Sequence, residues 1–145
     1  MKRKVLIIEK SEAIAFLLKT VLQKQYRIVS DRNCISGMAS LQMGATDAII
    51  LSVDDIQDIN YDFLRHVRSS YLFLSIPVFV VTNNHSPEFR AHLKNLGVTE
   101  VLLKPFDPLY LQKRVQEAIQ ESEFAFSNVS LNFSNVEMGS LKVSI

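Results

Sequence analysis

The stretch Val101-Leu102-Leu103-Lys104-Pro105-Phe106 decides the fold. It is a short apolar run that stops abruptly at a lysine and a proline, and a run of this length predicts a buried strand. Because proline has no N–H to donate, the strand must end there, which leaves Lys104 at its carboxyl end. Sites in open α/β sheets are built at that edge. The sequence therefore predicts a functional lysine at a strand end.

Four other apolar runs predict the rest of the sheet: 5–8, 26–29, 48–51 and 77–81. Helical spacing of apolar residues separates them, for example over 63–71, where Phe63, Leu64, Val67 and Tyr71 form a stripe. A last helix begins at Asp107-Pro108, and its predicted inner face contains Leu111, Val115, Ala118 and Ile119. Five strands that alternate with five helices predict an α/β fold, a flavodoxin-like doubly wound five-stranded parallel sheet, (βα)5.

The composition changes after Glu123. From 124 to 145 only Glu137 and Lys142 are charged, and apolar residues alternate with polar ones over 129–133 and 141–145. Such alternation predicts half-buried strands. The sequence thus predicts a domain over 1–122 and a C-terminal β-strand extension over 123–145, which is either an appendage or the start of a second domain. Because the pattern stops on an apolar residue, we expect the chain to continue or the tail to pair with another chain.

The bulk composition argues against several function classes. The net charge is +1, with 16 basic and 15 acidic residues, so neither nucleic acid nor an anionic membrane is the expected partner. Cys34 is the single cysteine, which excludes an internal disulfide and fits a reducing compartment. The apolar run behind the basic N-terminus is too short for a signal peptide or a membrane span. We therefore expect a cytoplasmic protein with a protein partner.

No pattern predicts an enzyme. His66, His85 and His92 lack metal-ligand spacing, and the glycines form no phosphate-binding loop. Arg65 and Arg68 lie on one predicted helix, where such charges are usually solvated. The sequence therefore predicts no catalytic residue, no metal and no cofactor.

The residues at the strand ends carry a family resemblance. Glu9-Lys10 follows the first strand, Ser52 ends the third, Thr82 ends the fourth and Lys104-Pro105-Phe106 ends the fifth. This order resembles the receiver domain (CheY-like) of two-component response regulators, over about residues 3 to 121. In that family two acidic residues hold Mg²⁺, an aspartate takes a phosphoryl group, a threonine and a lysine bind its oxygens, and an aromatic residue reports the event. The resemblance implies phosphorelay signal transduction and a cis Lys104–Pro105 bond.

The chain departs from the family pattern at several of these positions. Glu9 keeps the first acidic position, but Lys10 stands at the second, Ser52 at the phosphoacceptor position and Val101 at the aromatic switch position. Ile56 and Asn60 replace the usual proline and glycine of the loop after the acceptor. The resemblance therefore implies a pseudo-receiver with a degenerate phosphorylation site, formed by Glu9, Lys10, Ser52, Thr82 and Lys104.

Charge explains why this site would reject a metal ion. One carboxylate faces the two ammonium groups of Lys10 and Lys104, whereas Mg²⁺ prefers carboxylate oxygens. A like-charge contact at ~4 Å costs on the order of 4 kcal/mol at an effective dielectric constant of about 20. We expect Lys10 to pair with Glu9 in place of the metal, and Lys104 to contact Glu9 or the Ser52 hydroxyl.

The resemblance implies a protein-interaction or dimerisation module that works without aspartyl phosphorylation. In the family the fourth helix, fifth strand and fifth helix commonly form the dimer face, which here carries His92, Lys94, Asn95, Glu100, Tyr110, Lys113, Arg114 and Glu117. One alternative is a working receiver phosphorylated on Asp54 or Asp55, although acidic residues in such a loop are ordinarily solvated or act as caps. Another is a receiver fused to a PilZ-like, cyclic di-GMP-responsive domain, since 135–141 faintly resembles an early PilZ turn.

Overall fold

The computed structural model describes residues 2–125, which form a parallel sheet between two layers of helices. The strands are β1 (Arg3–Ile8), β2 (Tyr26–Asp31), β3 (Ala48–Ser52), β4 (Val78–Thr82) and β5 (Glu100–Leu103). They lie in the order β2-β1-β3-β4-β5, and every neighbouring pair is parallel. The predicted flavodoxin-like, doubly wound sheet is confirmed.

Polar residues begin the helices that connect the strands. The helices are α1 (Glu12–Leu22), α2 (Cys34–Gln42), α3 (Ile59–Ser69), α4 (Pro87–Asn95) and α5 (108–125). The side chains of Ser11, Asn33, Asp58 and Ser86 accept hydrogen bonds from N–H groups in the first turns of α1 to α4. These caps satisfy donors that the helices cannot satisfy internally.

The core has two parts, one on each side of the sheet. Val5 and Ile7 of β1 pack with apolar residues of α1 and α5, and these include the predicted inner face of α5. Leu6 and Ile8 point to the opposite side, where residues of α2, α3 and α4 cover them. Because side chains alternate along a strand, one run of four apolar residues serves both sides. Cys34 is buried in the second part of the core, and burial raises the pKa of its thiol.

The helix α2 lies unusually close to the carboxyl end of β1. A Cβ added to Gly37 would fall 2.5 Å from Cδ1 of Ile8. No side chain fits there unless Ile8 moves, so the glycine allows α2 to approach the strand that ends at Glu9.

The segment after α3 differs from the sequence prediction. The helix ends at Ser69, and Tyr71, predicted on its apolar stripe, is 94% exposed. Arg68, predicted to be solvated, instead donates to the carbonyls of Phe73 and Gly97 at 3.1 and 3.2 Å, and also to that of Ile76. Burial lowers the pKa of Arg68. These bonds hold the turns of 70–76 against the end of α3, so the apolar stripe stops there.

The last described helix continues past the predicted domain boundary. Residues 123–125 extend α5 beyond 122, although the sequence predicts a β-rich extension there. The alternating strands and the PilZ-like turn predicted over 126–145 lie outside the described residues. Within 2–125 no helix combines the length and apolarity needed to cross a bilayer.

Candidate functional site

Four strands bring polar residues to one edge of the sheet. Glu9 follows β1, Ser52 and Thr82 end β3 and β4, and Lys104 follows β5. The Lys104 N–H donates to the carbonyl of Thr82 at 2.8 Å, which continues the pairing of β4 and β5 to the site. The structure thus places these four residues, which the sequence analysis assigned to one site, together at the carboxyl edge of the sheet.

A buried ion pair occupies the centre of this edge. Lys104 Nζ lies 2.7 Å from Glu9 Oε1, and the two side chains are 9% and 1% exposed. Because both side chains are almost completely buried, water screens the attraction between the two charges very little. Lys104 Nζ also donates to Ser52 Oγ at 3.1 Å, and Glu9 Oε2 accepts from the Ser11 N–H at 3.2 Å. Both expected partners of Lys104 are present, and the Lys104–Pro105 bond is cis, as the resemblance implies.

Lys10 does not take the role that the sequence suggested. Its side chain is exposed, and within 2–125 the ion pair of Glu9 is made by Lys104. The prediction of a Lys10–Glu9 pair was wrong because Glu9 turns inward at the strand end, whereas the next residue turns toward water. A solvated ammonium keeps its hydration, so it gains little by entering the site.

Asp54 enters the site although the sequence predicted a solvated or capping residue. Its Oδ1 accepts from the Asn83 N–H at 2.9 Å and from the Thr82 hydroxyl at 3.3 Å. The neighbouring Asp55 is exposed, and its carboxylate accepts from the Gln57 N–H at 2.7 Å within its own loop, whereas the N-cap of α3 is Asp58. The spacing of apolar residues could not predict that Asp54 points into the site and Asp55 toward solvent, because the orientation of adjacent loop residues depends on the conformation of the turn.

Val101 lies in β5 and is partly buried against the side of the core that α2, α3 and α4 cover. No aromatic ring stands at this position, in keeping with the sequence.

The expected contact face has its charges matched within the chain. Arg114 Nε lies 2.7 Å from Glu100 Oε1, and its Nη1 lies 2.8 Å from Glu117 Oε2. The hydrogen bond that Arg114 donates to Glu100 raises the pKa of Arg114. Burial by itself would raise the pKa of Glu100, but the hydrogen bonds from Arg114 and Tyr110 and the nearby positive charges of Arg114 and Lys94 together outweigh burial, so the net pKa is lowered. The pair therefore stabilises the fold at neutral pH, and this contribution is lost as the pH falls through the lowered pKa.

Other residues of this face are exposed to solvent. Lys94, Asn95 and Tyr110 are exposed, and Lys113, 75% exposed, is 3.9 Å from Glu117. His92 is exposed and stacks on Tyr61 of α3.

The donor set does not fit the Mg²⁺ site that the resemblance implies. Within 2–125 no three His, Cys, Asp or Glu residues are grouped as metal ligands. The Glu9 carboxylate is already bound by an ammonium, and the Asp54 carboxylate by the Thr82 hydroxyl and the Asn83 N–H. Mg²⁺ demands a near-octahedral set of oxygen ligands, and the ammonium that contacts Glu9 opposes a divalent cation at that carboxylate.

The chain is similar to response regulators and their receiver domains. Residues 5–116 match the family model described as response regulator receiver domain. The chain is 24% identical to "Probable transcriptional regulator ycf27" of Cyanophora paradoxa over 99% of its own length and spans only 60% of that relative. The Vibrio cholerae chemotaxis protein CheY4 is 28% identical with a TM-score of 0.72, over 81% of this chain and 99% of that one. HP1043, an orphan response regulator of H. pylori, is 18% identical with a TM-score of 0.70, over 81% and 96% of the two chains.

Proposed function

The chain belongs to the response regulator receiver domain family, and on that premise we propose that it is a pseudo-receiver that contacts its partner without aspartyl phosphorylation. Receiver domains are generally non-enzymatic signalling modules that interact with proteins such as kinases and effector domains. The finer proposal concerns what replaces the phosphorylation event in this chain.

The Lys104–Glu9 pair is the observation that carries the proposal. The lysine that would grip a phosphoryl group is held 2.7 Å from a carboxylate that would otherwise be available to a metal ion. Its remaining contact is with Ser52, a neutral hydroxyl at the position that the resemblance assigns to the acceptor. A serine needs a base to become a nucleophile, and the Glu9 carboxylate, which shares Lys104 with Ser52, is neutralised by that lysine.

A phosphotransfer experiment tests this proposal. The protein is incubated with acetyl phosphate and Mg²⁺, and its intact mass is recorded before and after brief acid treatment. We expect no phosphoryl adduct on the wild type and none on the Ser52→Ala variant. A stoichiometric, acid-labile adduct on the wild type would contradict the proposal.

A second candidate is a working receiver whose acceptor is Asp54. The observation that favours it is the 3.3 Å contact of its carboxylate with Thr82, the residue implied to bind phosphoryl oxygens. Labelling that is lost in Asp54→Asn but retained in Asp55→Asn would establish it. Labelling retained in both variants removes both aspartates as acceptors.

We further propose that the face of α4, β5 and α5 makes the partner contact, with a second copy of the chain as the first partner to test. Lys94 and Lys113 are exposed on α4 and α5, and the partly exposed Glu117 is held only loosely by Lys113 at 3.9 Å, so two copies can exchange Lys–Glu contacts across a two-fold axis. Arg114 is excluded from this role because it is bonded to Glu100 and Glu117 within its own chain.

Sedimentation equilibrium measures this contact. We expect the wild type to self-associate equally with and without acetyl phosphate. The double variant Lys94→Glu/Lys113→Glu should associate at least about tenfold more weakly, because the reversed charges would face like charges across the interface. Lys19→Glu/Lys24→Glu, on exposed positions of α1 and the turn after it, is the matched control and should associate normally. A monomeric wild type at all concentrations contradicts the homodimer.

A further inference from the structure

The Asp54 carboxylate fills a small anion-binding arrangement at the end of β4. One of its oxygens receives two donors, the Asn83 N–H at 2.9 Å and the Thr82 hydroxyl at 3.3 Å. Donors that converge on one oxygen from a backbone amide and a hydroxyl are what an external anion such as phosphate would need. Here a residue of the chain supplies the negative charge.

The backbone of Asp54 also links the loop after β3 to the loop after β4. Its carbonyl accepts from Nδ2 of Asn84 at 2.9 Å, and its N–H donates to Asp58 Oδ2 at 3.3 Å. Asp58 is the N-cap of α3. The loop between β3 and α3 is therefore bonded to the loop between β4 and α4 by both the side chain and the main chain of one residue.

The connection extends into the first turn of α4. Oδ1 of Asn84 accepts from the Ser86 N–H at 2.9 Å, and Ser86 Oγ accepts from the Phe89 N–H at 3.3 Å as the N-cap of the helix. A continuous series of hydrogen bonds thus runs from the Asp54 backbone to α4. The position of α4 depends on how its preceding loop is held, and Asp54 holds that loop together with the Thr82 hydroxyl, which accepts from the Asn84 N–H at 3.0 Å.

We propose that Asp54 is a built-in anionic ligand of Thr82 and Asn83, which holds the β4–α4 loop and the start of α4 in the anion-bound arrangement permanently. The value of this device to signalling depends on the proposed function, in which the face containing α4 contacts a partner without phosphorylation. The surroundings of Lys104 support this proposal, because Glu9 already neutralises the ammonium group and no second anion is needed to balance its charge. In the wild type the Asn83 N–H and the Thr82 hydroxyl are therefore both bound to Asp54 and not to an external phosphate.

Backbone amide exchange and NMR of residues 2–125 in the full chain test the inference. In Asp54→Ala we expect the Asn83 amide to exchange about tenfold faster or more, because its charged acceptor is gone. Resonances of Asn84, Ser86 and Phe89 should shift with it. Asp54→Asn, which keeps an acceptor but loses the charge, should fall between the two. Asp55→Ala removes the adjacent carboxylate and should leave these amides as in the wild type.

Titration with inorganic phosphate provides the second readout. We expect a saturable shift of the Asn83 amide in Asp54→Ala and no such shift in the wild type. Slow exchange of the Ile50 amide in the central strand reports that each variant is folded. An unchanged Asn83 exchange rate in Asp54→Ala, an equal change in Asp55→Ala, or equal phosphate binding by the wild type would overturn the inference. These measurements need no partner, so a failure of the contact-face proposal would not alter them.

Discussion

Replacing Lys104 with methionine is expected to lower the free energy of unfolding by about 3–5 kcal/mol, because it leaves the Glu9 carboxylate buried without a counter-charge. The Glu9 side chain is only 1% exposed, so water cannot replace the ammonium without opening the site. Methionine keeps most of the length and volume of lysine, which limits the cavity that the substitution creates. Urea denaturation at neutral pH measures the loss.

The double variant Glu9→Gln/Lys104→Met is the control that separates charge from packing. When both charges of a buried pair are removed, the stability often stays near that of the wild type or rises, because neither group then pays for desolvation. We expect it to regain most of the loss of the single variant. If it is as unstable as Lys104→Met, the lysine matters through packing and the ion pair is not what holds the edge together.

Replacing Arg68 with methionine is expected to cost about 3 kcal/mol, since three carbonyl groups lose their charged donor together. These carbonyls belong to Phe73, Ile76 and Gly97, which lie in the connections that lead into β4 and β5. The guanidinium therefore organises two loops from one position at the end of α3. Thermal and urea unfolding measure the effect.

Arg65→Met is the matched control for this prediction. Arg65 lies on the same helix and is exposed, so its loss should change stability by no more than about 0.5 kcal/mol. Equal effects of the two substitutions would mean that helix propensity or net charge, and not the bonds to the loops, sets the cost.

The sheet could be predicted from sequence because its signal is local. Strands that are buried on both faces give continuous apolar runs, and the proline of Lys104-Pro105 marks the end of one of them. Parallel pairing then places the carboxyl ends of these strands at one edge, so Glu9, Ser52 and Thr82 could be expected near Lys104. This argument needs only the period and the length of each element.

The loop contacts could not be predicted in the same way. Thr82 and Asp54 are 28 positions apart, and their contact depends on the turn after β3. In the sequence, Asp54 and Asp55 differ only in position, and so do Arg65 and Arg68. In the structure, the two members of each pair differ in burial and in hydrogen-bond partners. Lys10 and Lys104 were both possible ion-pair partners of Glu9, and the sequence alone does not show which of the two ammonium groups contacts the carboxylate. Side-chain direction after a strand end is a tertiary property.

The burial of Cys34 has a practical consequence for measuring motion. It is the single cysteine of the chain, and its burial and raised pKa keep the reactive thiolate scarce. The chain also contains no tryptophan. A cysteine placed on the outer side of α4 can therefore carry a fluorescent dye with little background labelling, and one added tryptophan would provide an unambiguous energy-transfer donor. The distance between two chosen points on the molecule can then be measured without first removing a native cysteine or tryptophan.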